Sequence, residues 1–306
     1  MKFIVSITFL FLCLALPGAH AEELKLVPLA DKVWAIVGPL GNRSPENLGN
    51  NATFGFIETD EGVVLIDSGG SYYGAQKIHQ VIQSVTDKPI RYVINTGGQD
   101  HRWFGNDYFS QLGATIISSR AARLDQEKRL SEQLTRLITL IGEDKYENTH
   151  EKYADRLFDN KEVLNLGETQ IEIIHQGAAH TAGDAFIWLA DRSVMFTGDI
   201  VYVERMAGVN DHSSSKSWVQ VFEAMAAYQP RVVVPGHGSP TTLDKAKKDT
   251  YQYLVDLRQK VSEFMEQGGD ASDISEVDMS DYDYLLNYDT LSGRNALKVY
   301  TELEWE

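Results

Sequence analysis

Short apolar runs recur along the chain, set off by Gly, Asn and Asp, and they alternate with stretches whose apolar residues fall three or four apart. The first kind of pattern predicts strands and the second amphipathic helices. Leu24 to Val37 holds two strand-like runs, with Trp34 and Ile36 alternating against Ala35 and Val37. Ala52 to Glu58 and Val63 to Asp67 read as a hairpin across Asp60-Glu-Gly62. A helix over Tyr72 to Val85 places Ala75, Ile78, Val81 and Ile82 on one face. The buried strand Tyr92-Val-Ile94 follows, then a short helix and a strand ending with Ala114 to Ile117. Four more strands are expected at Val163–Leu166, Gln170–His175, Ala185–Leu189 and Val194–Thr197, and a last one at Arg231–Val234. Helices are expected at Ser217–Tyr228, Lys245–Met265 and about Gly293–Leu303. Strands alternating with helices in two successive halves fit two packed sheets with helices outside, an αββα sandwich.

Three stretches break this rhythm. Gly38 to Asn51 is a Gly-, Asn- and Pro-containing loop long enough to border an active site. Arg120 to Asn160 is charged and nearly free of glycine, with leucines at near-helical spacing. It reads as a helical insertion, either a packed surface pair or a lid. Beyond Gly268-Gly269, an acidic run to Asp283 reads as a loose connection, and its carboxylates lack the spacing of a calcium loop. The expected organisation is a sandwich domain over 22–245, with the insertion at about 120–160, and a helical extension over 246–306.

The formal net charge of -16 and the absence of a basic stripe exclude nucleic acid as an expected partner. The N-terminus changes the compartment. Lys2, the apolar run Phe3 to Leu16 and Ala19-His-Ala21 predict a leader over residues 1–21, cleaved before Glu22. Cys13, the only cysteine, leaves with it, so a metal in the mature chain must be held by His and carboxylate. The expected location is periplasmic or secreted, without a membrane anchor after cleavage.

Candidate chemistry sits on four loops that follow strands. Asn95-Thr-Gly-Gly-Gln-Asp-His-Arg-Trp-Phe-Gly-Asn106 delivers Asp100 and His101; Gly177 to Asp184 delivers His180; Phe196-Thr-Gly-Asp199 delivers Asp199; Val234-Pro-Gly-His-Gly238 delivers His237. Each residue alone is equally a turn residue or a cap. Together they form a set of N and O donors able to converge on one ion. Tyr202 is a secondary candidate, as an oxyanion donor or a packed tyrosine. His212 is another. Arg102 and Trp103 adjoin the loop, where a guanidinium can hold an anionic substrate. His79 and His150 read as surface residues.

This ordered set resembles the metallo-β-lactamase superfamily of hydrolases, whose members carry a His-x-His-x-Asp-His loop, then a His, an Asp and a final His. Asp67, ending Val63-Val-Leu-Ile66, is similar to the family's early structural aspartate. The tail Asn295 to Leu303 resembles the last helix of an exported branch linked to quinoprotein relay systems. The resemblance implies the αββα sandwich, one or two zinc ions and a small-molecule substrate, with a periplasmic oxidation system as a partner. The first two family histidines are missing. Aligned on Asp100-His101, their places hold Thr96 and Gly98; aligned on Ile94-Asn-Thr96, they hold Gly97 and Gln99, and His101 and Arg102 then stand where the family has Asp and His. The first register, which keeps an Asp-His pair, implies one ion on Asp100, His101, Asp199 and His237, with His180 at its edge. The expected activity is hydrolysis of an ester, lactone, lactam or thioester by water activated at one divalent metal, with zinc, iron and manganese all open. Asp100, Asp199, His180 and Tyr202 are the expected catalytic groups. The alternative is a metal-poor binding or accessory protein on the same scaffold.

Overall fold

A computed structural model describes residues 23–306, so the leader segment expected over 1–21 lies outside the described residues. The first half of the chain builds one seven-stranded sheet. Its strands in spatial order are β1 (Lys25–Ala30), β2 (Val33–Val37), β3 (Thr53–Thr59), β4 (Gly62–Ile66), β5 (Ile90–Asn95), β6 (Thr115–Ser119) and β7 (Arg156–Phe158). The first four pair antiparallel, and β4 to β7 pair parallel. The parallel half needs crossovers, supplied by α1 (Tyr72–Gln83), by α2 (Asp100–Trp103) with α3 (Asn106–Gln111), and by α4 (Arg120–Ile141) with α5 (Glu143–Tyr146). The second sheet runs β12 (Val232–Val234), β11 (Val194–Phe196), β10 (Ala185–Leu189), β9 (Thr169–His175), β8 (Lys161–Leu166), antiparallel except for the β11–β12 pair.

The two sheets face each other across an apolar layer in which Val64, Ile66, Ile94 and Ile117 meet Ile173, Ile187, Val194 and Phe196, all essentially solvent-free. On the outer face of the first sheet, Phe54, Phe56, Leu65 and Val93 pack on Ala75, Ile78 and Ile82 of α1. On the outer face of the second, Phe186 and Met195 pack on α6 (Ser215–Ala226), α7 (Tyr253–Glu266) and α8 (Tyr288–Leu303). Burying strands on both faces requires continuous apolar runs, which is how these strands read in the sequence. The expected αββα sandwich is the fold observed.

One expectation needs correction. The acidic run after Gly269 is not loose: 3-10 turns at Ala271–Glu276 and Ser280–Tyr282 anchor it through buried Ile274, Met279, Tyr282 and Leu285. Its carboxylates lie on the outer side of a chain pinned by apolar residues spaced three to five apart. Helix α4 is packed on the domain, one of the two readings the insertion left open. Gln133 accepts from the Trp103 indole at 3.0 Å and donates to the Gly98 carbonyl at 2.9 Å, and Gln126 donates to Gly97 at 3.3 Å. These bonds make it a buttress behind the loop that follows β5.

Candidate functional site

All four chemistry-bearing loops leave the sandwich at one edge, after β5, between β9 and β10, after β11 and after β12. The loop after β5 folds back at once into the single-turn helix α2, where a plain loop was expected. Successive residues on a helix point about 100° apart, so Asp100, His101 and Arg102 cannot all face one ion.

His101, Asp199 and His237 converge: one ligand atom from each lies within 4.8 Å of the others. The His101 Nε2 is 3.4 Å from Asp199 Oδ2, and the His237 Nε2 is 3.3 Å from Asp199 Oδ1. Asp100 is outside this trio. Its carboxylate accepts from Arg43 and from the His101 backbone N–H, and its second oxygen has no partner among the described residues. The expectation that Asp100 shares an ion with His101, Asp199 and His237 is therefore corrected. The arrangement matches the other register, with Gly97 and Gln99 in the places of the family's histidines and Arg102 entering the site.

Arg102 is fully buried, and each of its five N–H groups has an acceptor. Nε and one Nη2 proton grip Asp199 as a fork, at 3.1 and 2.7 Å. Nη1 bonds Asp67 at 2.9 Å and the Thr53 carbonyl at 3.1 Å, and Nη2 also bonds the Gly236 carbonyl at 2.9 Å. Arg102 thus has no donor left for a substrate. Asp67 sits in the left-handed region at φ 64° and accepts Thr96 N–H at 2.7 Å, which ties the β4 and β5 ends together. Burial opposes ionisation of Asp199, yet Arg102 and the two imidazoles outweigh it and hold the carboxyl well below its usual range.

The three imidazoles differ in what they offer. The His237 Nδ1 is 2.8 Å from the Asn51 carbonyl and 3.4 Å from an Arg205 nitrogen. The shorter contact requires Nδ1 to donate, which leaves the Nε2 lone pair facing Asp199, the tautomer a metal ligand needs. His180 likewise donates from Nδ1 to the Gly208 carbonyl at 2.9 Å, with its ring beside Tyr202 and Trp218. Burial pushes His180 down to about 4 and, with Arg205 adding to it, His237 down to about 3, so both are neutral near pH 7. His101 is held well below its usual value, by burial first and then by Arg43 and Arg102. Its Nδ1 lies 2.6 Å from an Arg43 nitrogen, which can only donate, so its proton rests on Nε2.

His101, Asp199 and His237 thus form a donor set that could hold a metal ion. At the place of the family's first ion, a Cβ on Gly97 would overlap the Asp184 carboxylate, itself fixed by Thr181 N–H at 2.7 Å and Thr181 Oγ at 2.5 Å. A Cβ on Gly98 would overlap Asp125 of α4. His180 remains there without imidazole partners from the β5 loop. At the second place, one carboxylate and two imidazoles are assembled. Loading it requires Arg43 to release His101 so that the ring can move its proton to Nδ1.

Tyr202 is buried and stacked on His237 at 4.7 Å, and burial with the Asp199 charge keeps its phenol protonated. His212 lies aside, 3.4 Å from Glu132. His79 is half-buried against Tyr108, and His150 is exposed. Sequence reasoning missed Arg43 and Arg205, although Arg43 lies in the loop singled out as a site border.

Arg102→Met leaves two buried carboxylates without their cation, so in chelator-treated protein it is expected to lower stability by about 3–5 kcal/mol at pH 7.5. Arg102→Lys keeps the charge but loses the fork and should recover only part of that loss. Urea unfolding measures both; an Arg102→Met midpoint equal to wild type would refute the account. The buried imidazoles also predict a pH dependence. Each is neutral when folded and titrates near 6.5 when unfolded, so the unfolded chain binds more protons below that pH. The imidazole contribution is full above about pH 6.5 and falls as pH drops toward 4, by up to about 1.4 kcal/mol per pH unit for each ring, while Asp67, pushed up to about 6, and Asp184, pushed up to about 8, act in the opposite sense. NMR titration of the imidazoles in folded, metal-free protein checks this, and rings that protonate near pH 6.5 in the fold would refute it.

The chain has relatives. It is 24% identical over 254 residues to the metallo-beta-lactamase type 2 of Elizabethkingia meningoseptica, covering 82% of this chain and 90% of that protein. It is 22% identical over 183 residues to the 2,4-dinitroanisole O-demethylase subunit alpha of a Nocardioides strain, covering 59% of this chain and 51% of the relative. Among solved structures, a metallo-beta-lactamase from Pontibacter korlensis superposes with a TM-score of 0.60 at 20% identity, over 76% of this chain and 99% of that one. One from Hirschia baltica gives 0.59 at 19% identity, over 75% and 97%. These relatives suggest a metal-dependent hydrolase. The sequence profile of the metallo-beta-lactamase superfamily matches residues 49–237, the span that carries Asp67, the α2 turn, His180, Asp199 and His237, and the chain belongs to that superfamily.

Proposed function

We propose that this protein is an exported hydrolase that works with a single divalent metal, held by His101, Asp199 and His237. The observation that carries the reading is the convergence of those three side chains, of which His101 and His237 line a pocket of about 430 Å³ together with His180 and Tyr202. When bound, a divalent cation there supplies Lewis acidity, polarising a carbonyl and making water more acidic. Asp199 contributes a carboxylate whose orientation is set by Arg102. His237 contributes a lone pair aimed by the Asn51 carbonyl. The protonated Tyr202 phenol is the donor for negative charge that develops on a substrate oxygen. Neutral His180 presents its free Nε2 to substrate. Esters, lactones, lactams and thioesters share the electrophilic carbonyl this arrangement serves, and zinc, iron and manganese all accept such a donor set. Service in a periplasmic oxidation system belongs to the same reading, through the resemblance of the tail. No helix among the described residues is long and apolar enough to cross a membrane.

One observation favours a second reading. Arg102 already neutralises Asp199, and Arg43 occupies His101, so the pocket is coherent without a metal, as a binding protein would be. Metal analysis after reconstitution with excess zinc separates the two. One ion per chain is expected, lost at least tenfold in affinity by His237→Ala and kept by His180→Ala, which lowers turnover instead. Two ions per chain, or metal that leaves with His180 and survives His237→Ala, would sink the single-site scheme.

A further inference from the structure

The pocket above the trio has a charge that its own chain does not balance. The protein carries a formal net charge of -16, yet no Asp or Glu lines this cavity, and four arginines do: Arg43, Arg136, Arg205 and Arg294. Arg43 and Arg205 lie at depth, each only 8% exposed, while Arg136 and Arg294 stand at the open rim. Among the described residues, Arg43 pairs with Asp100, but Arg136, Arg205 and Arg294 have no carboxylate within ion-pair reach. Arg205 has the Gly41 carbonyl at 3.2 Å, and its Nε is buried with no partner. The Arg43 Nε is likewise buried and unpartnered. Buried guanidinium N–H groups without acceptors are costly and are ordinarily paired. The crowding acts on the buried group itself: burial first, then, against the pull of Tyr202, the Arg43 charge weakens proton binding at Arg205.

We propose that this cavity is a receptor for a compact dianionic group of the phosphate monoester type, gripped by Arg43 and Arg205 at depth and by Arg136 and Arg294 at the rim. The inference rests on the pocket being the substrate pocket of the proposed hydrolase, and it names that substrate's handle. A single carboxylate satisfies one guanidinium fork and leaves the others facing each other. A phosphate monoester brings about -1.5 to -2 charges at neutral pH and three acceptor oxygens, and guanidinium forks match such oxygens in pairs. Six amides, among them Asn42, Gln99, Asn210 and Asn287, line the remaining walls beside three aliphatic side chains, so the rest of the ligand carries polar groups and is not a lipid chain. Arg102 takes no part, because its donors are consumed.

Isothermal titration at pH 7.5 and fixed ionic strength tests this with inorganic phosphate as the probe and acetate and succinate as comparisons. Phosphate is expected to bind at least tenfold more tightly than acetate and more tightly than succinate. The rim variant Arg136→Gln/Arg294→Gln, which alters only exposed side chains, should weaken phosphate on the order of tenfold or more. Lowering the pH to 5.5, where phosphate is mainly a monoanion, should weaken it further. Phosphate no tighter than acetate, succinate tighter than phosphate, or a rim variant that binds like wild type would each overturn the proposal. Chelator-treated protein separates it from the hydrolase reading. Phosphate binding that persists without metal uptake supports the arginine receptor even where the single-metal scheme fails. Phosphate binding that vanishes with the metal overturns the receptor and leaves the hydrolase standing.

Discussion

The buried fork between Arg102 and Asp199 fixes most of what surrounds it. Asp199 ends β11, Asp67 ends β4, Thr53 opens β3 and Gly236 follows β12, so one guanidinium draws together strand ends from both sheets. A charge this deep is tolerable only when every N–H has an acceptor, and that condition is met here by two carboxylates and two carbonyls. The cost of the arrangement is flexibility: none of these loops can shift without stranding a charge in a dry interior. The trio on Asp199 inherits that rigidity. His101 reaches the carboxylate because it is the neighbour of Arg102 on the same helical turn, and His237 reaches it because Gly236 is already tied to the guanidinium.

The same interaction explains where reading the sequence went astray. The strands were legible because both sheets are buried on two faces and leave long apolar runs. The donors His180, Asp199 and His237 were legible because each follows such a run. The α2 turn was not, since Thr96-Gly-Gly-Gln-Asp-His carries no helical periodicity and its glycines read as a break. The register that keeps an adjacent Asp-His pair leaves Arg102 as a holder of anionic substrate, whereas all its donors are spent inside the protein. A guanidinium with five satisfied donors depends on carbonyls and carboxylates from Thr53, Asp67, Asp199 and Gly236, which are far apart in sequence. No local pattern signals it. The acidic tail was misread for a related reason: its frequent carboxylates mask Ile274, Met279, Tyr282 and Leu285, whose irregular spacing suits 3-10 turns and not a helix.

Charge compensation runs differently on the two sides of the trio. Below it, the single Arg102 cation is shared by two carboxylates, Asp67 and Asp199, so negative charge is in excess. Above it, Arg43 is matched by Asp100 through the contact that turns this carboxylate away from the trio. Arg136, Arg205 and Arg294 then stand in excess on the walls. Asp100 therefore acts as a counterion for the pocket. Its sequence position beside His101 suggested a ligand, whereas the 100° step of one helical residue gave it the opposite duty.

The helical insertion fixes the backbone of the loop after β5. The backbone of Gly97 and Gly98 comes so close to Asp184 and to Asp125 of α4 that neither glycine has room for a Cβ. Gln126 and Gln133 of the same helix take up the carbonyls of that backbone, and Arg129, paired with Asp125, reaches Gln99 at 3.5 Å. An imidazole at 97 would have to displace a carboxylate that Thr181 holds by two hydrogen bonds, and one at 99 would leave Arg129 facing an imidazole in place of an amide oxygen. Restoring the first ion's ligands by substituting Gly97 and Gln99 alone therefore conflicts with the packing of α4. A helix docked on the backbone of the loop after β5, and a guanidinium gripping Asp199, together brace the trio beneath a cationic pocket.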